Sequence, residues 1–206
     1  MTPELIQQLG DDLYAALRER RTLVPFTNRF SDITVEDAYG ISLQFLNRRV
    51  AAGERVIGKK IGVTSKPVQD MLGVFQPDFG FLTDAMHCTD GAVVSLKQTG
   101  LIQPKAEGEI AFMLKADLKG PGITREQVMA ATEWVAPCFE IVDSRIDDWK
   151  IKIQDTVADN ASCGVFTLGG TRRSPRDLDL ALAGMVLEKN GEIISTSCGA
   201  SVQGSP

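Results

Sequence analysis

Histidine is almost missing from this chain of 206 residues, in which His87 is the single example. Ser-His-Asp and Cys-His nucleophilic schemes would both have to run through it, and nothing in Met86-His87-Cys88 equips it as a base. Proton transfer therefore falls to carboxylates, lysine, tyrosine or metal-bound water. Cysteine is sparse too: Cys88, Cys138, Cys163 and Cys198 are scattered without a C-x-x-C spacing. That excludes the usual structural zinc site and favours reduced, mostly buried thiols. There is no Lys/Arg cluster with interleaved aromatics, and the formal net charge is −5. Neither nucleic acid nor an anionic membrane surface is an expected partner. No apolar run is long enough to span a bilayer, and an N-terminus carrying Glu4, Asp11 and Asp12 is no signal peptide. A soluble, cytoplasmic protein is expected.

What is present supports one well-buried domain, or a domain with a small helical appendage. Thr2 and Pro3 open a helix whose apolar stripe is Leu5, Leu9, Leu13, Ala16 and Leu17. Thr34, followed by Asp37, caps a second helix that carries Ala38, Ile41, Phe45 and Leu46 and ends at Ala52-Gly53. Between them, residues 25–32 read as loop. From Val56 the pattern turns to short β-like runs: 56–63, 81–82, 92–96, a strand beginning near Glu107, 135–142 and 165–168. Residues 68–72 read as a short helical turn and 76–80 as loop. Thr124 caps a helix running to about Glu133, and Asn190-Gly191 marks a hairpin between 184–188 and 193–196. The class is α+β, with a helical N-terminal lobe over residues 1–54 and a mixed, mostly antiparallel β body over 55–206. The run 199–206 closes with neither helix nor strand, so the chain reads as unfinished.

Three constellations bear on chemistry. In Glu107-Gly108-Glu109, strand alternation puts both carboxylates on one face, roughly 7 Å apart. Gly108, opposite, marks a close approach or a bulge. The pair is either half of a divalent metal site or a solvated strand face. Glu140, between Phe139 and Ile141, is costly to bury uncompensated. Joined to Glu107 and Glu109 by adjacent strands it makes an all-oxygen site for Mg²⁺, Mn²⁺ or Ca²⁺; otherwise it pairs with Lys or Arg. On the strand after Gly58, Lys59 and Lys60 face opposite ways, and Lys60 shares its side with Gly62 and Thr64, small residues that leave room for a ligand. Residues 157–164 are dense in polar groups and read by themselves as a capped turn.

The Lys60-x-Gly62-x-Thr64 strand, Glu107-x-Glu109, Glu140-Ile141-Val142-Asp143-Ser144-Arg145 and Ala158-Asp159-Asn160-Ala161-Ser162 occur in this order. Together they resemble the 2-oxopent-4-enoate (2-hydroxypenta-2,4-dienoate) hydratases of the fumarylacetoacetate hydrolase superfamily, from the first helix to Pro206. The 4-oxalocrotonate decarboxylases share the carboxylates, but Gln103–Glu109 and Trp149–Thr156 look more like the hydratase branch. The resemblance implies a β-roll of the fumarylacetoacetate hydrolase C-terminal-domain type, here lacking its last segments. It implies Mg²⁺ or Mn²⁺ on Glu107, Glu109 and Glu140. The substrate's carboxylate and 2-oxygen would chelate that metal, which stabilises enolate charge while the dienol is protonated and water adds. Lys60 would hold the substrate's carboxylate or oxyanion or move protons. Asp78, beside Phe79 and Phe81, is the candidate acid/base, or else a loop-capping aspartate. Thr64, Asp159, Asn160 and Ser162 would contact substrate or water. The implied activity is hydration to 4-hydroxy-2-oxopentanoate in meta-cleavage aromatic catabolism. The alternatives are 4-oxalocrotonate decarboxylation or a catalytically silent partner subunit. Homo-oligomers and a complex with the decarboxylase are the implied assemblies.

Overall fold

The computed structural model describes residues Met1–Pro206. Helix α1 (Pro3–Glu19) starts where Thr2 accepts a hydrogen bond from the Leu5 N–H at 3.3 Å, and it buries Leu9, Leu13 and Ala16. Helix α2 (Phe26–Arg29) is one turn inside the segment expected to be loop. It forms because Phe26 is drawn fully into the core, while the N–H and hydroxyl of Thr27 donate to Asp155 at 3.1 and 2.7 Å. Helix α3 (Val35–Ala51) opens with the complete capping box of Thr34 and Asp37 and buries the expected Ala38, Ile41, Phe45 and Leu46.

Strand β1 (Val56–Gly62) is followed by α4 (Lys66–Leu72), β2 (Asp78–Thr83), the short β3 (His87–Cys88) and a helical turn α5 (Leu96–Thr99). Then come β4 (Lys105–Leu114), α6 (Arg125–Ala131), β5 (Thr132–Val142), α7 (Ile153–Ala158), β6 (Cys163–Leu168), β7 (Gly184–Lys189) and β8 (Glu192–Cys198). β1 pairs antiparallel with β2, and β7 with β8; the remaining four strands form a sheet of order β3-β6-β5-β4. The fold is mixed α+β, as expected.

Three local expectations change. β1 stops at Gly62 because Val63 turns into the left-handed region at φ 56°, so Thr64 lies beyond the strand. Asp78 stands on a strand rather than in a loop, since antiparallel pairing sets it opposite Gly62. Residues 92–95 form no strand, having no ladder partner; the Thr99 hydroxyl instead donates to the Ser95 carbonyl at 2.8 Å and closes α5. The Asn190-Gly191 hairpin forms as read, both residues at positive φ (55° and 82°).

The chain divides into two compact units. The first comprises Met1–Ala106 and Glu140–Phe166, the second Glu107–Phe139 and Thr167–Pro206. In the first, Leu9, Leu13, Phe26, Ile41, Phe45 and Val157 belong to one buried cluster joining α1, α2, α3 and α7. In the second, β7 brings Met185 against Gly108, where any β-carbon would collide with the Met185 sulfur. The glycine of the Glu-Gly-Glu motif thus serves the close approach that its type signals.

Candidate functional site

The β1–β2 ladder sorts its residues by parity. Lys59, Ile61, Phe79 and Phe81 share one face, where Lys59 Nζ lies 5.5 and 5.6 Å from the Phe79 and Phe81 ring centres. Lys60, Gly62, Asp78 and Gly80 share the other. Lys59 is exposed, whereas the Lys60 side chain is 10% exposed, so the two lysines divide as their alternation requires.

Lys60 Nζ lies 3.4 Å from Glu140 Oε1 and donates to the Ala161 carbonyl at 3.1 Å. Asp78 is buried beside it: a β-carbon at Gly62 would strike Asp78 Oδ1 and come within 3.0 Å of Lys60 Nζ. A β-carbon at Gly80 would strike the Asn160 carbonyl oxygen. Both glycines therefore leave space on the same face, Gly62 for the Asp78 carboxylate and the Lys60 ammonium and Gly80 for the Asn160 carbonyl. Gly80→Ala is expected to lower stability by about 1–3 kcal/mol, the range for overpacking. The obstacle is backbone and cannot swing aside, so a thermal melt within a degree of the parent would refute that close approach.

Glu140, Ala161 and the groups behind them come from the end of β5 and the turn after α7. Arg145, fully buried, forms an ion pair with Asp159 (Nε to Oδ1, 2.5 Å). Burial pushes the Asp159 carboxyl up to about 6, against the pull of the Arg145 charge. Asn160 is bonded at both ends of its amide to Phe81, accepting from the N–H at 2.7 Å and donating to the carbonyl at 3.0 Å. Ser162 Oγ lies 3.1 Å from Thr156 Oγ1. Asp159, Asn160 and Ser162 thus have their polar atoms engaged in building the turn. Cys163 follows at once; burial, with the Glu140 charge behind it, pushes its thiol up to about 12, so it stays protonated and is no nucleophile.

Tyr39 and Arg145 carry weight that the sequence reading did not give them. Tyr39, on α3, stacks on Phe79 with ring centres 4.7 Å apart, and burial pushes its phenol up from 10.0. It borders a cavity of about 270 Å³ with Val35, Val74, Phe75, Asp78 and Ile153. Arg145 was visible as the last residue of a motif, but nothing local tells a buried arginine from a surface one.

Of the three expected metal carboxylates, Glu107 and Glu109 stand exposed on one face of β4 in the second unit, while Glu140 is 6% exposed in the first. No three His, Cys, Asp or Glu side chains are gathered as a ready coordination shell. Thr64 is half-buried just past β1.

A lysine ammonium beside buried carboxylates, with a protonated thiol close by, equips a fold for proton transfer and for holding an anion. It does not equip it for covalent nucleophilic attack. That places the molecule among acid–base enzymes such as lyases. A 2-hydroxyhexa-2,4-dienoate hydratase of Comamonas testosteroni is 68% identical over 203 residues, covering 98% of this chain and 77% of that protein. A 2-hydroxypent-2,4-dienoate hydratase of Pseudomonas putida is 64% identical over 206 residues, covering 100% of this chain and 92% of that one. Among solved structures, a 4-oxalocrotonate decarboxylase from Pseudomonas putida G7, complexed with magnesium and adipate, superposes with a TM-score of 0.95 at 37% identity. It is matched over 100% of this chain and 77% of its own. No family model matches. The chain belongs to the 2-hydroxypenta-2,4-dienoate (2-keto-4-pentenoate) hydratase family, a family of hydro-lyases.

Proposed function

We propose that this protein adds water to 2-hydroxypenta-2,4-dienoate, giving 4-hydroxy-2-oxopentanoate, as a cytoplasmic enzyme of meta-cleavage aromatic catabolism. The observation that carries the reading is the placement of Lys60 Nζ, 3.4 Å from Glu140 and 3.1 Å from the Ala161 carbonyl, with Asp78 across Gly62. An ammonium in a largely dry setting suits an anionic 2-oxo acid, and a carboxylate one residue-width away suits proton delivery to carbon. The hydratase reading is preferred over the decarboxylase by identity, 64–68% against 37–39%.

In this scheme Lys60 holds the substrate's carboxylate or developing oxyanion. Asp78 acts as the acid/base: C5 of the dienol gains a proton as the 2-hydroxyl loses its own, giving the ketone, and the proton taken from the water that adds at C4 is then delivered to C3. Thr64, Asp159, Asn160 and Ser162 orient substrate or water, the last three through the turn they build. The donor set fits a hard divalent cation by its chemistry: Glu107 and Glu109 share one strand face, and Glu140 adds a third carboxylate. Mg²⁺ or Mn²⁺ held by these three would supply Lewis acidity toward the substrate's oxygens. The β-roll of the fumarylacetoacetate hydrolase type over residues 55–206, the helical lobe over 1–54, homo-oligomerisation and association with the decarboxylase belong to the same proposal.

Purified protein with Mn²⁺ and freshly generated 2-hydroxypenta-2,4-dienoate is expected to bleach the dienol absorbance and accumulate 4-hydroxy-2-oxopentanoate. Absence of that product, with CO₂ released from 2-oxohex-3-enedioate instead, would assign the chain to the decarboxylase reaction.

A further inference from the structure

Between α7 and β6 the backbone does something costly. Asn160, Ala161 and Ser162 all lie in the left-handed region, at φ of 55°, 52° and 51°. Asparagine tolerates that region, but the β-carbons of alanine and serine oppose it, and consecutive L-residues there are rare. The turn is buried throughout, so solvent offers it no relief. Something must hold it.

Arg145 does so from both sides. Its Nη2 donates to the carbonyl of Asp159 at 2.7 Å, immediately before the turn, and its Nη1 to the carbonyl of Cys163 at 2.9 Å, immediately after. Its Nε and its own backbone N–H occupy the two carboxylate oxygens of Asp159 at 2.5 and 2.8 Å. The planar fork suits this task, because its donors are fixed relative to one another. The product of the arrangement is the Ala161 carbonyl oxygen, aimed at Lys60 Nζ at 3.1 Å.

A buried ion pair is in general weak evidence for added stability, and a left-handed turn subtracts from it. We propose that Arg145 is a positioning residue, whose guanidinium staples the Asn160–Ser162 turn and thereby fixes the carbonyl that holds the Lys60 ammonium in place. The inference rests on the reading that gives Lys60 a part in hydration.

Arg145→Lys retains the charge opposite Asp159 and loses the fork. Two measurements are made at a temperature where circular dichroism shows native structure. One is the rate of Lys60 acetylation by acetic anhydride, read by peptide mass spectrometry against Lys59 as internal reference. The other is steady-state hydration. The variant is expected to raise the Lys60/Lys59 labelling ratio at least fivefold and to lower kcat at least tenfold, with KM changed less than threefold. Adding Ala161→Gly to Arg145→Lys should recover at least half of both effects, since glycine occupies this region without penalty. A purely structural arginine predicts lower melting temperature with labelling ratio and kcat unchanged, and that result overturns the proposal. Should Arg145→Lys fail to fold, Asp159→Asn, of equal shape, carries the same expectations and the same refutation. A fully active Lys60→Met would instead remove the catalytic reading of Lys60, leaving the labelling ratio to decide the staple alone.

Discussion

Lys60→Met is expected to lower kcat/KM for 2-hydroxypenta-2,4-dienoate by about 10²–10⁴-fold, the usual worth of a positioned acid–base group. Methionine reproduces the unbranched stem of lysine as far as its terminal carbon and lacks the nitrogen, so the change isolates the ammonium. That ammonium sits 3.4 Å from a glutamate that is itself 6% exposed, and removing one partner of a buried pair ordinarily costs about 3–5 kcal/mol. The variant must therefore be assayed well below its melting temperature. Lys60→Arg separates charge from geometry. It keeps a cation but brings a planar, bulkier head into a space so tight that a β-carbon at Gly62 would already come within 3.0 Å of Nζ. It is expected to remain impaired. A folded Lys60→Met with parental kcat/KM would leave Lys60 as a structural counter-ion to Glu140 and nothing more.

The sequence carried much of this geometry because its signals were local. A threonine followed three residues later by an aspartate dictates the start of α3; an Asn-Gly pair dictates the β7–β8 hairpin; strand parity separates Lys60 from Lys59. Glu140 in an apolar strand was legible as a carboxylate in need of a cation, and Lys60 supplies one. What was not legible is what neighbours impose. Asp78 reads as loop beside Pro77, yet becomes a strand residue because β1 offers it a ladder. Residues 92–95 have strand composition and find no partner. Asp143 to Asp148 is polar in composition, yet Asp143, Ser144 and Arg145 are almost wholly buried. Asp143 accepts the N–H groups of Ile102 and Gln103, while Arg145 grips the turn after α7. Their partners lie more than ten residues away in the chain, beyond the reach of any local pattern.

Glu107→Gln is expected to abolish Mn²⁺ binding, measured by titration calorimetry at concentrations that saturate the parent protein. Removing one of three carboxylates takes away a full negative charge and an oxygen donor, and affinity for hard cations follows ligand charge. The side chain is exposed, so in the absence of metal the substitution should change stability by no more than about 0.5 kcal/mol. This makes a second readout available. At metal concentrations near one hundred times the dissociation constant, binding raises parental stability by about 2.7 kcal/mol, and the variant should gain none of it. Glu133→Gln, another exposed carboxylate of the second unit, is the control and should bind as the parent does. The pattern across variants then decides between the two original meanings of Glu107-x-Glu109. If Glu107→Gln and Glu140→Gln both lose binding, the pair is part of one all-oxygen site. If only Glu140→Gln does, the cation belongs to the first unit, and the two exposed glutamates are a solvated strand face.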